Sequence, residues 1–165
     1  MNIQRILKHL LMTELQVRRA FSGDTLLAIE NAIKASETRH AGEIRFAVEG
    51  ALHSMALFRG QSARERAIEV FAQLRVWDTE HNNGVLIYLL LADRAVEIIA
   101  DRGVDVNVGT PGWEAICRTM EAAFGQAKYR EGMVSGIDAV AHHLAKHFPG
   151  RGPKPNELSD APLVL

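Results

Sequence analysis

The sequence predicts an α/β fold: a single domain in which a small mixed β-sheet is sandwiched between helices, layered α-β-α. Three observations predict it. Residues 43–49 alternate apolar with polar or small side chains, the two-residue period of a strand with one face on a core. Residues 85–91 are apolar throughout, as in a central strand covered on both faces. Around both runs lie stretches with apolar residues three and four apart, the period of amphipathic helices. The length of 165 residues suits one domain, and 47% hydrophobic with 24% charged residues is a globular balance.

The chain divides into an N-terminal amphipathic helix (1–21), an α/β domain (22–148) and a proline-rich, irregular tail (149–165). In the first segment Ile3, Ile6, Leu7, Leu10 and Leu11 recur at helical spacing, with Arg5, Lys8 and His9 around them. Four basic residues against Glu14 give it a charge of +3. One reading is a helix lying on an anionic membrane surface. The favoured one is a helix packing its apolar stripe onto the domain. A second helix starts near Ser22 or Asp24, either of which can cap it, and presents Leu26, Ile29 and Ile33. The strand Glu43–Glu49 puts Ile44, Phe46 and Val48 on the core face. Gly50–Gly60 reads as a loop, and Ala63–Arg75 as a helix burying Ile68, Phe71 and Leu74. Val85–Leu91 and Ala95–Ala100 form a hairpin about a short turn at Ala92, Asp93 and Arg94. A helix starts between Gly109 and Gly112, with Pro111 in its first turn and Trp113, Ile116, Cys117, Met120 and Phe124 on one face. Tyr129–Phe148 is the last helix, with Met133, Ile137, Val140 and Leu144 inward. Pro149, Pro153, Pro155 and Pro162 make the tail irregular: a disordered end, a docked segment or an extra edge strand.

Composition excludes several classes. A net charge of −1 argues against a broadly basic nucleic-acid binder. The lone Cys117 excludes an internal disulfide framework and a multi-thiolate zinc site. The longest apolar run, residues 85–92, is far too short to span a bilayer. Without a secretory signal, the expected location is cytoplasmic, peripheral to the membrane if residues 1–21 touch lipid.

A strand, helix, strand unit makes the first two strands parallel, so their N-terminal ends share one edge, and the hairpin returns the third strand's end there. On that edge lie His40, Glu43, Asp78, Glu80, His81, Asn82, Asn83, Asp101, Arg102 and Asp105. Asp101, Asp105 and Asn107 alternate along a segment ending at Gly109, supplying the hard oxygen ligands that calcium or magnesium takes. A polar loop capping the next helix fits the same residues. His40 with Glu43 reads as an acid/base pair or, preferably, as a solvated histidine at a helix end. His142, His143 and His147 lack a third metal ligand and read as a solvated face. Cys117 falls in an apolar stripe and reads as core. Arg45 and Glu49 share the strand's second face, best accommodated by an edge strand with that face wet.

The segments Glu43–Val48, Arg66–Phe71 and Asn83–Gly103 together resemble the TPM-domain family, which includes thylakoid-lumen proteins of photosystem II repair. The match extends over roughly residues 24–148, its most recognisable features being Asn83-Gly84 before the central strand and Asp93-Arg94 in the hairpin turn. The resemblance implies a compact α/β sandwich, a divalent-cation site in at least some members, and an acid phosphatase activity proposed for plant relatives. By position Asn83 matches the family's Asn, and Asp101-Arg102-Gly103 occupies the place of its glycine-containing loop. The loop before the central strand, Trp77–Asn82, departs from the family's glycine-rich form.

The expected function is a TPM-like module binding a divalent cation, calcium or magnesium, through Asp78, Asn83, Asp101 and Asp105, with His40, Glu43 and Arg102 as further edge residues. It would act through an unidentified protein partner, in membrane-protein maintenance. The alternatives are a metal-assisted phosphatase, in which Arg102 would hold the phosphate, and a metal-free interaction domain that uses the basic N-terminal helix.

Overall fold

The computed structural model describes residues 3–150, 152 and 155–165. Met1 and Asn2 of the N-terminal segment and Pro153 of the tail lie outside the described residues. Among the described residues seven helices and four strands follow in order: α1 Ile3–Leu11, α2 Glu14–Ala20, α3 Gly23–Ser36, β1 Glu43–Glu49, α4 Ser54–Phe58, α5 Ala63–Gln73, β2 Gly84–Leu90, β3 Ala95–Ala100, α6 Arg102–Gly125, α7 Tyr129–His147 and β4 Leu163–Val164. The sheet runs β3-β2-β1-β4. β1 pairs in parallel with β2 from Glu43 opposite Gly84 to Glu49 opposite Leu90, and β3 returns antiparallel along β2. The predicted sandwich and the shared N-terminal edge are both present.

Each face of the sheet has its own core. Ile44, Phe46, Val48, Val85, Ile87 and Leu89 pack against α3, α6 and α7, where Ile29, Ile33, Met133, Ile137, Val140 and Leu144 are buried. Ala47, Leu86, Tyr88 and Leu90 pack on the other face against Leu52, Leu57, Ala67 and Val70. The side chains of α3 and α7 therefore point as their periodicity predicts. Ser22 caps α3 by accepting the Thr25 N–H.

Five expectations change. First, the N-terminal segment is two helices, because Thr13 opens a capping box with Gln16 that starts α2. Second, the segment read as a loop before Gly109 is the first part of α6. Asp101 caps it, and Gly109 leaves helical geometry (φ 70°, ψ 165°) two residues before Pro111, which has no N–H to continue the ladder. Third, α5 buries Ala63, Ala67 and Val70; Ile68 is exposed, while Phe71 and Leu74 are half-buried. Small side chains on that face let the helix lie close on β2. Fourth, residues 54–58 inside the expected loop form α4.

Fifth, β1 is no wet edge. All seven of its residues are buried, because the tail adds β4 beside it in parallel, Ala47 opposite Leu163 and Val48 opposite Val164. Of the three tail readings the structure has the edge strand. Arg45, on the covered face, donates to the carbonyls of Ser159 and Ala161. Burial pushes its guanidinium below the ordinary value, with Asp160 opposing.

The difference in burial between periodic apolar residues of α3 and α5 is checked by paired truncations read by urea denaturation. Ile33→Ala, in the filled core, should cost about 2–5 kcal/mol. Ile68→Ala, on the exposed side of α5, should change stability by less than about 0.5 kcal/mol.

Candidate functional site

At the N-terminal edge, chain geometry collects most of the predicted polar residues and gives several of them structural work. His40 is fully buried, which overturns its reading as a solvated histidine. Its Nδ1–H donates to the Gly42 carbonyl at 3.0 Å, and its Nε2 lies 3.3 Å from Ser36 Oγ. Glu43 is equally buried and accepts the Leu158 N–H from the tail. Glu80 and Glu157 join the tail to the same edge, the Glu80 N–H donating to the Glu157 carboxylate at 2.8 Å.

Residues 76–83 press onto the starts of both β2 and α6. A Cβ on Gly84 would meet the Val76 carbonyl at 1.9 Å, and one on Gly103 the Asn82 carbonyl at 2.4 Å, so neither position admits a side chain. Asn83 is buried in the joint, its amide donating to the Ala41 carbonyl and its backbone N–H to Thr79 Oγ1. Asp101 accepts the Arg102 N–H through Oδ1 and caps α6. Asn83 Oδ1 and Asp101 Oδ2 are buried without a hydrogen-bond partner among the described residues. The Asp101 N–H donates to the carbonyl of Gly84, the residue after Asn83. The two residues are thus neighbours along the backbone at this edge.

The other predicted ligands are arranged differently. Asp105 accepts the Trp113 indole N–H at 3.0 Å, one turn into α6. Asp101 and Asp105 are one helical turn apart while Asn107 falls on another side, so the three do not line one loop. Asp78 and Arg102 are exposed. Among the described residues no group of three or more His, Cys, Asp and Glu side chains is placed to hold a metal. His143 lies edge-on to Trp113 at 5.8 Å, while burial and its histidine neighbours lower its proton affinity. Cys117 is a partly buried thiol pushed up to about 12, first by burial and then by the nearby Glu97 carboxylate, which favours its neutral form.

At the opposite end of the sheet are two charged clusters that sequence reasoning missed. The Glu49 carboxylate accepts from Arg66 Nε and from the Tyr88 hydroxyl, both at 2.8 Å. Burial, and then the Glu49 charge, pushes the Tyr88 phenol well above its ordinary range. A cleft of about 590 Å³ opens beside this cluster, lined in part by His53, Arg59 and Glu65. In the β2–β3 turn, Asp93 receives Arg5 Nε and Nη2 and lies 3.0 Å from His9 Nε2. The Leu52 N–H donates to His9 Nδ1, so in the neutral ring the proton sits on Nε2 and points at Asp93. Burial alone would raise the Asp93 carboxyl, but the hydrogen bonds from Arg5 and His9 outweigh it and hold it below the ordinary value. The sequence signals were Glu49 closing its strand and Asp93-Arg94 in the turn, but their partners lie 17 to 88 residues away.

Comparisons with known proteins follow this architecture. The TPM domain family model matches residues 17–143. Among solved structures the chain is similar to the BA42 protein of the psychrophilic bacterium Bizionia argentinensis, with 29% identity and a TM-score of 0.76 over 87% of this chain and 94% of that one. Its fold also resembles the N-terminal domain of a protein from P. gingivalis, at 21% identity and a TM-score of 0.62, covering 79% of this chain and 82% of that one. No curated protein matches it.

The Asp93 cluster makes α1 docking dependent on pH. A depressed folded-state value means its stabilisation is complete above the unfolded carboxylate value, about pH 4, and fades as pH falls through the folded one. Wild type should therefore exceed Asp93→Asn in urea stability at pH 7, and the difference should shrink steadily below about pH 4. A difference that stays constant from pH 7 to pH 3 would refute this.

Proposed function

This chain belongs to the TPM-domain family, and from that premise we propose that it is a TPM-like module that binds a divalent cation at the N-terminal edge of its sheet and acts through partners. The observation that carries the reading is that two oxygens at that edge, Asn83 Oδ1 and Asp101 Oδ2, are buried with no hydrogen-bond partner among the described residues. A buried acceptor without a partner is costly, and a cation is one way to satisfy two of them. The donor set is one carboxylate and one amide oxygen, with the carbonyls of His81 and Asn82 packed against Gly103. Such ligands suit calcium or magnesium, which take oxygen and retain water, and not zinc, which prefers sulfur and imidazole.

In this reading Asp101 supplies the negative charge and Asn83 a neutral oxygen. Asp105, tied to Trp113, and the exposed Asp78 lie outside the inner set. The bound ion would supply a fixed positive charge at an edge where the tail, α6 and the 76–83 segment meet. Occupancy would therefore tighten the seam between the tail and the sheet.

The test is thermal unfolding in calcium, magnesium, manganese and EDTA, on wild type and on Asp101→Asn. Asparagine keeps the helix cap but removes the charge, so the variant should fold. At a hundredfold excess over Kd, a native-state ligand stabilises by about 2.7 kcal/mol. For a domain of this size that raises Tm by roughly 5–10 °C. A rise that Asp101→Asn loses supports the cation site. No response to any of the three ions refutes it. Turnover of a phosphomonoester by the loaded wild type, lost in the variant, would replace the module with a metal-assisted phosphatase.

A further inference from the structure

The α1 helix docks with its polar side inward. His9 is only 4% exposed, and Arg5 is tied to Asp93 and to the Gln61 carbonyl. Ile6 is the helix's apolar contribution to the core. Ile3, Leu7, Leu10 and Leu11, with Leu15 at the start of α2, are instead 52–70% exposed. This reverses the favoured expectation that the apolar stripe would face the domain. A helix that buries a histidine–aspartate–arginine cluster and leaves four aliphatic side chains in water presents a surface that a soluble domain would otherwise cover.

The charges around the stripe indicate what covers it. Lys8 on α1 and Arg18 and Arg19 on α2 are exposed, against one exposed acid, Glu14, which pairs with Arg18. Residues 1–21 carry +3 in a chain of net charge −1, leaving −4 on the remainder. The positive charge is thus concentrated on the two helices that carry the exposed leucines. Between the points where α1 touches the body, Leu52 and Gln61, the short helix α4 also exposes Met55 and Phe58. Aliphatic and aromatic side chains interleaved with Lys and Arg are the composition of a helix lying in a lipid headgroup layer.

We propose that α1 and α2 form a docking surface for an anionic lipid bilayer, with Ile3, Leu7, Leu10 and Leu11 entering the headgroup–acyl boundary while Lys8, Arg18 and Arg19 meet lipid phosphates and carboxylates. The Asp93 cluster is what turns the stripe outward, holding the helix by its polar side so that the domain need not open to bind. Among the described residues no helix is long and apolar enough to cross a membrane, so the contact is superficial.

The full chain is tested by co-sedimentation with vesicles of phosphatidylcholine alone and of equimolar phosphatidylcholine and phosphatidylserine. Binding should require the phosphatidylserine vesicles and weaken with added salt. Lys8→Ala and Arg19→Ala should each lower the partition coefficient about fivefold. Leu7→Asp/Leu10→Asp should abolish binding, and Lys128→Glu, on the loop before α7, should leave it unchanged. The altered side chains are exposed, so circular dichroism and Tm should match wild type in each variant. Absence of wild-type binding to either vesicle overturns the proposal, as does binding that Leu7→Asp/Leu10→Asp retains. A concentration-dependent dimer that this double variant dissolves, without vesicle binding, overturns it in favour of a second copy of the chain.

Discussion

Burying β1 on both faces places the charges of Arg45 and Glu49 inside the protein, and much of the surrounding structure exists to satisfy them. An unpaired charge in such a position would cost several kcal/mol. Glu49 is met by Arg66 from α5 and by the Tyr88 hydroxyl from the neighbouring strand. Arg45 is met by backbone carbonyls of the C-terminal tail. The tail therefore supplies the fourth strand and the acceptors for a buried cation together, and its irregular, proline-rich sequence is compatible with both. A regular helix would engage all but its last four carbonyls with its own N–H groups, leaving few for Arg45.

The two ends of the sheet have different characters. At the N-terminal end, backbone packs closely on Gly84 and Gly103, and Asn83 Oδ1 and Asp101 Oδ2 are left without hydrogen-bond partners among the described residues. At the C-terminal end, charges are paired with side chains from distant segments, and one of those pairings fixes the orientation of α1. The first arrangement is where we propose a small hard cation. The second sets which surface the N-terminal helices offer to the outside. The two lie at opposite ends of the strands.

The elements that were legible in the sequence are those whose periodicity and burial agree. Ile44, Phe46 and Val48 alternate and are buried; Ile29 with Ile33, and Met133 through Leu144, recur at helical spacing and are buried. The parallel pairing of β1 and β2 followed from the helix between them, and with it the set of residues on the N-terminal edge. In α1 and α5 pattern and burial disagree. Both carry apolar residues at helical spacing, yet α5 buries alanines and valine while exposing Ile68, and α1 buries His9 while exposing its leucines. Periodicity identifies an amphipathic helix without stating which side the rest of the protein will accept.

The sequence by itself determined the layered α/β architecture, the two principal strands and their relative direction, the helices α3 and α7, the exclusion of a disulfide framework, and the edge on which the polar residues gather. These are local, because the spacing of side chains along one segment fixes which of them share a face. Tertiary structure alone decided that His40 and Glu43 are buried, that the tail is a strand, that Asp105 serves Trp113, and that α1 faces inward with Arg5 and His9. Each of these depends on a partner far along the chain, such as Asp93 for Arg5, 88 residues away. No spacing rule within a segment encodes a contact whose other half lies in another segment.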